Sequence, residues 1–202
     1  MDFYSIHHGN CIEVMQSLPS KSVDFVLTDP PYVRHFTDRG GRSIPTIGGM
    51  QWIEPAYAEI YRLMKPNSLC LTFYGYSHIA KFSEAWRKAG FRPVGHLVWP
   101  KTYNSSVGFT ACRHEAAYLL AKGEPTKPEK PIRDIQHWTF TGNPFHPSQK
   151  AVEVLEPLLQ AFTQPDDVVL DPFMGSGSCG VACARTGRRF AGIELDKRYY
   201  DI

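Results

Sequence analysis

The sequence predicts a single α/β domain with a mostly parallel seven-stranded sheet and helices on both faces. Short β-rich apolar runs alternate along the chain with segments of helical periodicity, an order typical of parallel sheets. A glycine-rich turn joins one late apolar run to a helical segment. With 202 residues, of which 43% are hydrophobic, the chain can bury one sizeable core. We therefore expect residues 1–202 to form one domain.

Apolar and β-branched content predicts the strands, and the turn signals between them set their ends. The predicted strands are residues 3–7, 23–28, 68–74, 94–99, 115–121, 167–171 and 189–194. The predicted helices are residues 11–18, 51–64, 78–89, 148–162 and 178–186, with another that begins near residue 197. In the second helix, one face carries Trp52, Ala56, Ile60 and Leu63, which predicts its buried side. Residues 33–50 and 122–134 are predicted loops because both contain glycine or proline and charge.

Composition excludes several classes of protein. The net charge of +2 is too small to indicate a nucleic-acid partner by itself. We expect no membrane span because the chain lacks an apolar run of about 18 residues. The start M-D-F-Y-S-I-H-H lacks the regions of a secretory signal, and the five cysteines form no C-x-x-C pair, so we expect a cytoplasmic location. His114-Glu115 lacks the second histidine of H-E-x-x-H, and we expect no metal site.

The first motif with chemical content is T-D-P-P-Y, residues 28–32, at the end of a predicted strand. Pro30 and Pro31 end the strand and fix the following turn, because proline cannot donate to a sheet ladder. The prolines thereby hold Asp29 and Tyr32 side by side in one orientation. The alternative is a rigid strand end with a surface carboxylate and a packed aromatic ring.

The second motif is D-V-V-L-D-P-F-M-G-S-G-S-C-G, residues 167–180, where a strand leads through glycines into a helix. Gly175, Gly177 and Gly180 match G-x-G-x-x-G, and Glu194 follows at the distance expected for a ribose-binding acid. The alternatives are a turn without a ligand and a dinucleotide site. A dinucleotide enzyme normally begins its fold with this unit, whereas eight residues follow Glu194 here.

Together and in this order, the two motifs resemble the beta group of DNA amino-methyltransferases, which carry D-P-P-Y and F-x-G-x-G elements. Further resemblances are G-N-C-I-E-V-M-Q-S-L-P (9–19), L-V-W-P-K (97–101), R-H-E-A-A-Y-L-L-A-K-G (113–123) and H-P-S-Q-K (146–150). The resemblance implies a circularly permuted, Rossmann-like methyltransferase fold that uses S-adenosyl-L-methionine. It divides the domain into a catalytic part (1–121), a linker or recognition segment (122–145) and a cofactor-binding part (146–202).

The resemblance also implies roles for individual residues. The expected catalytic residues are Asp29, Pro30, Pro31 and Tyr32. The expected cofactor-binding residues are Asn10, Cys11, Asp29, His146, Ser148, Lys150, Asp171, Pro172, Phe173, Gly175, Ser176, Gly177, Ser178, Glu194 and Leu195. Asn10 departs from the family, which usually has Asp there, so we expect altered cofactor affinity. His146 and Lys150 are expected near the methionine carboxylate of the cofactor. The alternative is that His146-Pro-Ser148 only starts a helix, with Ser148 as its N-cap.

The chemistry of amino methylation explains the first motif. The exocyclic nitrogen of a base is a poor nucleophile because its lone pair is delocalised into the ring. The Asp29 carboxylate and the Pro30 carbonyl can each accept a hydrogen bond from the amine, which favours tetrahedral nitrogen and stabilises its developing charge. Tyr32 can stack on the flipped base. D-P-P-Y in the family favours the adenine 6-amino group, and S-P-P-Y favours the cytosine 4-amino group.

Several alternatives stay open. Cytosine-N4 methylation is the nearest, and an NAD-dependent oxidoreductase or a non-catalytic DNA-binding relative is more remote. DNA is the expected partner, with phosphate contacts predicted at Arg34, Arg39, Arg42 and Lys101; a solvated basic loop is the alternative. The resemblance implies a prokaryotic or phage enzyme associated with the nucleoid. A homodimer, a restriction partner and the target sequence are not decided.

Overall fold

The computed structural model describes residues 4–31, 41 and 49–202. Its main sheet has the strands β1 (Tyr4–His8), β2 (Val23–Thr28), β3 (Met64–Phe73), β4 (Arg92–Pro100), β7 (His114–Lys122), β8 (Val168–Asp171) and β9 (Arg189–Glu194). A separate hairpin consists of β5 (Ser106–Val107) and β6 (Ala111–Cys112). The helices are α1 (Cys11–Ser17), α2 (Ile53–Leu63), α3 (Ile79–Ala89), α4 (Val152–Phe162), α5 (Ser178–Thr186) and α6 (Lys197–Tyr200), and a 3-10 turn spans Tyr76–His78.

The strand order in the main sheet is β1-β9-β8-β2-β3-β7-β4. The first five strands are parallel, and β7 is antiparallel to both of its neighbours, so β4 again runs with β3. The predicted single-domain, mostly parallel seven-stranded sheet is confirmed. The chain leaves β2 towards β3 but leaves β8 towards β9, in the opposite direction. This reversal opens a crevice at the carboxyl ends of β2 and β8, where open α/β sheets bind ligands.

Two apolar cores cover the two faces of the sheet, as predicted. Helices α1, α2 and α3 pack on one face through residues such as Met15, Ile60 and Trp86, all of which are buried. Helices α4 and α5 pack on the other through Leu158 and Cys183. The predicted inner face of α2 is buried at all of its positions. Circular permutation stays a prediction.

The structure differs from the predicted elements mainly at their ends. Helix α4 starts at Val152 rather than residue 148, and Ala151 in extended backbone is its N-cap. The suggestion that Ser148 caps this helix is therefore wrong: its hydroxyl lies 3.2 Å from His146 Nδ1 instead. Strand β3 begins at Met64 rather than residue 68. The β5–β6 hairpin was not predicted.

The linker that follows β7 covers the outer edge of β4. Val98 donates its backbone N–H to Asp134 (2.8 Å), and Gln136 donates to the Val98 carbonyl (2.8 Å), forming a short parallel bridge. An unpaired edge strand is a template for unwanted pairing, and this segment removes that hazard. Within the described ranges, no helix has the length and apolar content needed to cross a bilayer.

Candidate active site

The two sequence motifs meet at the crevice between β2 and β8. The strands pair in parallel register, with Phe25 opposite Val169 and Val26 opposite Leu170. At their carboxyl ends, Thr28 Oγ1 donates a 2.9 Å hydrogen bond to Asp171 Oδ1 across a sequence separation of 143 residues. The proline turn and the glycine turn therefore open onto the same pocket.

Asp29 has one occupied and one unoccupied carboxylate oxygen. Oδ2 pairs with Lys150 Nζ. Oδ1 is shielded from solvent and has no hydrogen-bond partner among the described residues, although 19% of the side chain is exposed. A buried acceptor without a donor is costly, and Asp29 is one of the residues that line the pocket, in which a ligand can supply a donor. Burial raises the pKa of Asp29 above its usual range, and the Lys150 ammonium opposes that rise.

Lys150 is held from several sides. Its ammonium lies 4.8 Å from the centroid of the Phe73 ring, at the end of β3. Burial lowers the pKa of Lys150, but the carboxylates of Asp29 and Glu115 outweigh that effect, and the net shift is upward. Lys150 was expected near the methionine carboxylate of the cofactor; the structure shows it paired with Asp29.

A second buried ion pair, between Lys101 and Glu115, stands next to the first. The Lys101 side chain is only 4% exposed, and its ammonium lies 4.8 Å from the Trp138 ring centroid. Burial favours the neutral form of Glu115, but Lys150 and Lys101 outweigh this and hold its pKa below the usual range. Lys101 was predicted to contact phosphate; in the structure its side chain is buried and its ammonium pairs with Glu115.

Asp171 forms the floor of the pocket. Its Oδ1 accepts from Thr28 Oγ1 and also from the backbone N–H of Phe173 (3.1 Å). Burial raises the pKa of Asp171 to about 7, and the negative charges of Asp29 and Glu194 act in the same direction. A carboxyl group with this pKa changes its charge near neutral pH.

The glycine turn passes close to His146 at Gly175. Gly175 has a φ of +54°, and a Cβ placed there would lie 3.3 Å from His146 Cδ2. Gly177, with a φ of +84°, is the N-cap of α5. The turn is tied to β9 because the Glu194 carboxylate accepts from Gly175 N (2.9 Å) and from Asp196 N (2.7 Å).

Glu194 is therefore a structural acceptor for two backbone N–H groups. Burial also raises its pKa above the usual range. Each carboxylate oxygen has a second lone pair, so the predicted ribose contact is compatible with this arrangement.

The structure brings most of the predicted residues to one pocket. Of the predicted set, the pocket is lined by Asp29, His146, Ser148, Lys150, Asp171, Phe173, Gly175, Ser176 and Ser178. Sequence analysis missed the lining residues Leu27, Thr28, Phe73, Gln149, Leu155, Met174 and Cys179. Thr28 and Met174 are neighbours of predicted residues and could have been found for that reason. For Phe73, the only sign in the sequence of a place in the pocket was its position near the end of a predicted strand.

In the part of the chain that the structure describes, the other predicted residues are not among those that line this pocket. Asn10 caps α1, its Oδ1 accepting from Ile12 N at 3.0 Å. Burial raises the pKa of the Cys11 thiol to about 12. The backbone carbonyl of Leu195 lies 3.1 Å from His8 Nε2, next to Glu194. Pro30 is buried and Pro31 is half-buried, and Pro172 follows Asp171 directly. Tyr32, Arg34, Arg39 and Arg42 lie outside the described residues.

Known proteins are similar to this chain in sequence and in fold. The chain matches the DNA methylase family over residues 23–202. It is 48% identical to YubD of Escherichia coli strain K12 over 192 residues, covering 95% of this chain and 85% of that protein. The crystal structure of the M1.HpyAVI–SAM complex matches with a TM-score of 0.76 and 26% identity, covering 98% of this chain and 96% of that one. The cytosine-N4-specific PvuII DNA methyltransferase shares the fold (TM-score 0.76, 16% identity, 98% and 86% coverage).

The fold and the pocket thus define a DNA amino-methyltransferase that depends on S-adenosyl-L-methionine. The chain belongs to the DNA methylase family.

Proposed function

We propose that this protein transfers a methyl group to the exocyclic 6-amino group of adenine in DNA. The observation that carries the proposal is Asp29 itself: it lines the pocket just after β2, and its shielded Oδ1 has no hydrogen-bond partner among the described residues. A target amine supplies the donor that this oxygen lacks. D-P-P-Y with an aspartate supports adenine over cytosine, because that form of the motif is typical of the adenine-specific enzymes.

The glycine turn lines the part of the pocket assigned to the cofactor. The Gly175 backbone runs so close to His146 that a Cβ would lie 3.3 Å from its ring. Asp171 and Ser178 add polar atoms to a lining that also includes Phe173 and Phe73, and Glu194 holds the glycine turn through Gly175 N. We assign cofactor binding to this end of the pocket. S-adenosyl-L-methionine supplies an electrophilic methyl group on a sulfonium centre when bound.

Asp29 and Pro30 orient the acceptor nitrogen. Asp29 Oδ1 accepts one amine hydrogen, and the Pro30 carbonyl accepts the other, so the nitrogen lone pair is withdrawn from the base ring. Positive charge that develops on the nitrogen then lies next to a carboxylate in a site with little water, where the attraction is strong. The raised pKa of Asp29 also suits it to receive the proton that the nitrogen must lose.

Lys150 positions Asp29. Its ammonium occupies Oδ2 and leaves Oδ1 for the amine, so the carboxylate is not free to rotate. Its positive charge favours the ionised form of Asp29, which burial disfavours. Tyr32 is assigned to stacking on the flipped base on the basis of the sequence motif alone.

Mass spectrometry of nucleosides tests the proposal. DNA from a host without its own methylation is incubated with the purified protein and cofactor carrying a deuterated methyl group. The expected product is deuterated N6-methyladenine, and it should be lost in Asp29→Asn, which keeps the shape of the side chain. Deuterated N4-methylcytosine would overturn the adenine assignment. A digest in which no nucleoside carries the deuterated methyl group would overturn methyl transfer altogether.

A further inference from the structure

A hairpin projects from the edge of the sheet that carries the active site. Strand β4 ends at Pro100, opposite His114 at the start of β7. The pairing continues past the sheet, as Lys101 N donates to Arg113 O (2.7 Å) and Ser105 N donates to Cys112 O (2.9 Å). Because β4 runs in the same direction as β2, this projecting hairpin (residues 101–113) leaves the sheet on the side of Asp29.

The tip of the projecting hairpin is apolar and uncovered. Val107 is 75% exposed, and Phe109 is exposed over its whole side chain. The tip is closed by a 3.1 Å hydrogen bond from Gly108 N to Thr110 O. Scattered exposed apolar side chains are common on protein surfaces. Phe109 differs because an ordered two-stranded ribbon holds its ring away from the body of the protein.

The surroundings of the tip suit a polyanion. The residues between Lys101 and Arg113 read T-Y-N-S-S-V-G-F-T-A-C and include no acidic side chain. Asn104, Ser106 and Thr110 offer amide and hydroxyl donors, and exposed Arg113 adds a positive charge at the base of the hairpin. An apolar tip with donors and no carboxylate matches a nucleic-acid duplex, in which stacked bases lie between phosphates.

The root of the projecting hairpin is anchored next to the reacting groups. Lys101 is buried against Glu115, whose charge acts on both Lys150 and Asp29. Tyr103 accepts a 3.1 Å hydrogen bond from Trp138 Nε1, which lies against Lys101. The root is therefore held by side chains from two other segments, next to the residues that line the pocket.

We propose that Phe109 is a wedge that enters the base stack of duplex DNA next to the target base. The proposal rests on the proposed function, because a base inside a duplex cannot reach Asp29 until it leaves the stack. An inserted apolar ring replaces stacking that the departing base gives up and keeps the duplex open. The tip therefore binds between two adjacent base pairs of the substrate DNA.

The test compares two duplexes that contain a site mapped by sequencing methylated DNA. One is fully matched, and the other has an abasic position opposite the target base, which lowers the cost of flipping. Phe109→Ser is expected to lower kcat/KM on the matched duplex by about tenfold or more, but by about twofold or less on the abasic duplex. Phe109→Leu keeps an apolar wedge and should retain activity on both. Val94→Ser, at an exposed apolar position near the opposite end of β4, is the matched control.

Permanganate oxidation of thymines in protein-bound plasmid DNA separates this proposal from the proposed function, since it measures unstacking without methyl transfer. Enhanced oxidation that disappears in Phe109→Ser supports the wedge, even if no DNA is methylated and the proposed function fails. Equal activity of Phe109→Ser on both duplexes, or permanganate reactivity that does not depend on Phe109, overturns it. If Phe109→Ser abolishes self-association and leaves thymine oxidation unchanged, the tip binds a second copy of the chain. That result also overturns the wedge proposal.

Discussion

Lys150 pairs with Asp29 across 121 residues of sequence and occupies one of its two carboxylate oxygens. The pair connects the segment that precedes α4 with the turn that follows β2. It also leaves the shielded Oδ1 without a partner among the described residues, in a side chain that belongs to the pocket lining. A lysine that fixes the carboxylate explains how Asp29 keeps one orientation at a partly exposed position.

Replacing Lys150 with methionine should impair both activity and stability. Asp29 loses its partner, and we expect kcat to fall by about a hundredfold. The carboxylate is left buried without compensation, so the free energy of unfolding should fall by about 3 kcal/mol. Since Lys150 opposes the raised pKa of Asp29, its removal should also move the acid limb of the kcat–pH profile to higher pH. Steady-state kinetics across pH and urea unfolding measure these changes.

Two further variants sharpen this test. Lys150→Arg keeps the positive charge and should restore part of kcat and the original position of the acid limb. Lys88→Met removes a lysine from an exposed ion pair with Glu54 and should leave activity and stability close to those of the unchanged protein. An unaltered pH profile in Lys150→Met would show that Lys150 does not act through Asp29.

Asp171 should make stability depend on pH in the acid to neutral range. Its pKa is raised from 3.8 to about 7 in the folded state, so the native protein holds a proton that the unfolded chain has released. Stability conferred by this group is therefore fully present below pH of about 4 and is lost as pH rises towards 7. The slope is at most on the order of 1.4 kcal/mol per pH unit within that window.

Asp171→Asn tests this effect because the amide oxygen can still accept from Thr28 and Phe173 without carrying charge. We expect the stability of the variant not to fall as the pH rises towards 7. At pH 8 it should therefore unfold at higher urea concentration than the unchanged protein. Asp201→Asn, at the exposed end of the chain, controls for the change in net charge. Parallel stability–pH curves for the unchanged protein and Asp171→Asn would exclude Asp171 as the source.

Much of the fold follows from local sequence patterns. The parallel strands were predicted to within a few residues because apolar, β-branched runs are bounded by proline and glycine, as at Pro30 and Gly175. The two motifs were expected to form one site because of the family resemblance. Their positions at the carboxyl ends of parallel strands explain why they meet in the structure. The inner face of α2 followed from helical periodicity.

The partners of individual side chains could not be predicted in the same way. The path of the chain before α4 decides that Lys150 reaches Asp29, and no local pattern specifies that path. Lys101 was predicted to contact phosphate next to the active site; its burial depends on Glu115 and Trp138 from two other segments. The projecting hairpin was missed because its strands are short and lack alternation.

Gly175→Ala should weaken cofactor binding more than it weakens the fold. A Cβ at this position would meet the His146 ring at 3.3 Å, and the φ of +54° is strained for alanine. His146 or the turn must shift, so we expect the Kd for S-adenosyl-L-methionine to rise by about tenfold or more. Isothermal titration calorimetry gives the Kd, and thermal unfolding gives the stability.

Gly187→Ala is the matched control for the backbone strain. Gly187 has a φ of +74° at the C-cap of α5, but a Cβ there meets no atom within 4 Å. It should lower Tm to a similar extent as Gly175→Ala while leaving the Kd unchanged. Equal Kd values for the two variants would mean that the approach of His146 to the glycine turn plays no part in cofactor binding.

Lys101 and Arg113 should differ in how they affect the salt dependence of DNA binding. Arg113 is exposed at the base of the projecting hairpin, whereas the Lys101 ammonium is buried against Glu115. Each phosphate contact contributes about one unit to the slope of log Kd against log salt concentration. Arg113→Gln is expected to reduce that slope by about one, and Lys101→Gln is expected to leave it unchanged. Fluorescence anisotropy with a labelled duplex at several salt concentrations measures both slopes. A slope reduced in Lys101→Gln alone would show that Lys101 leaves Glu115 and contacts phosphate when DNA binds.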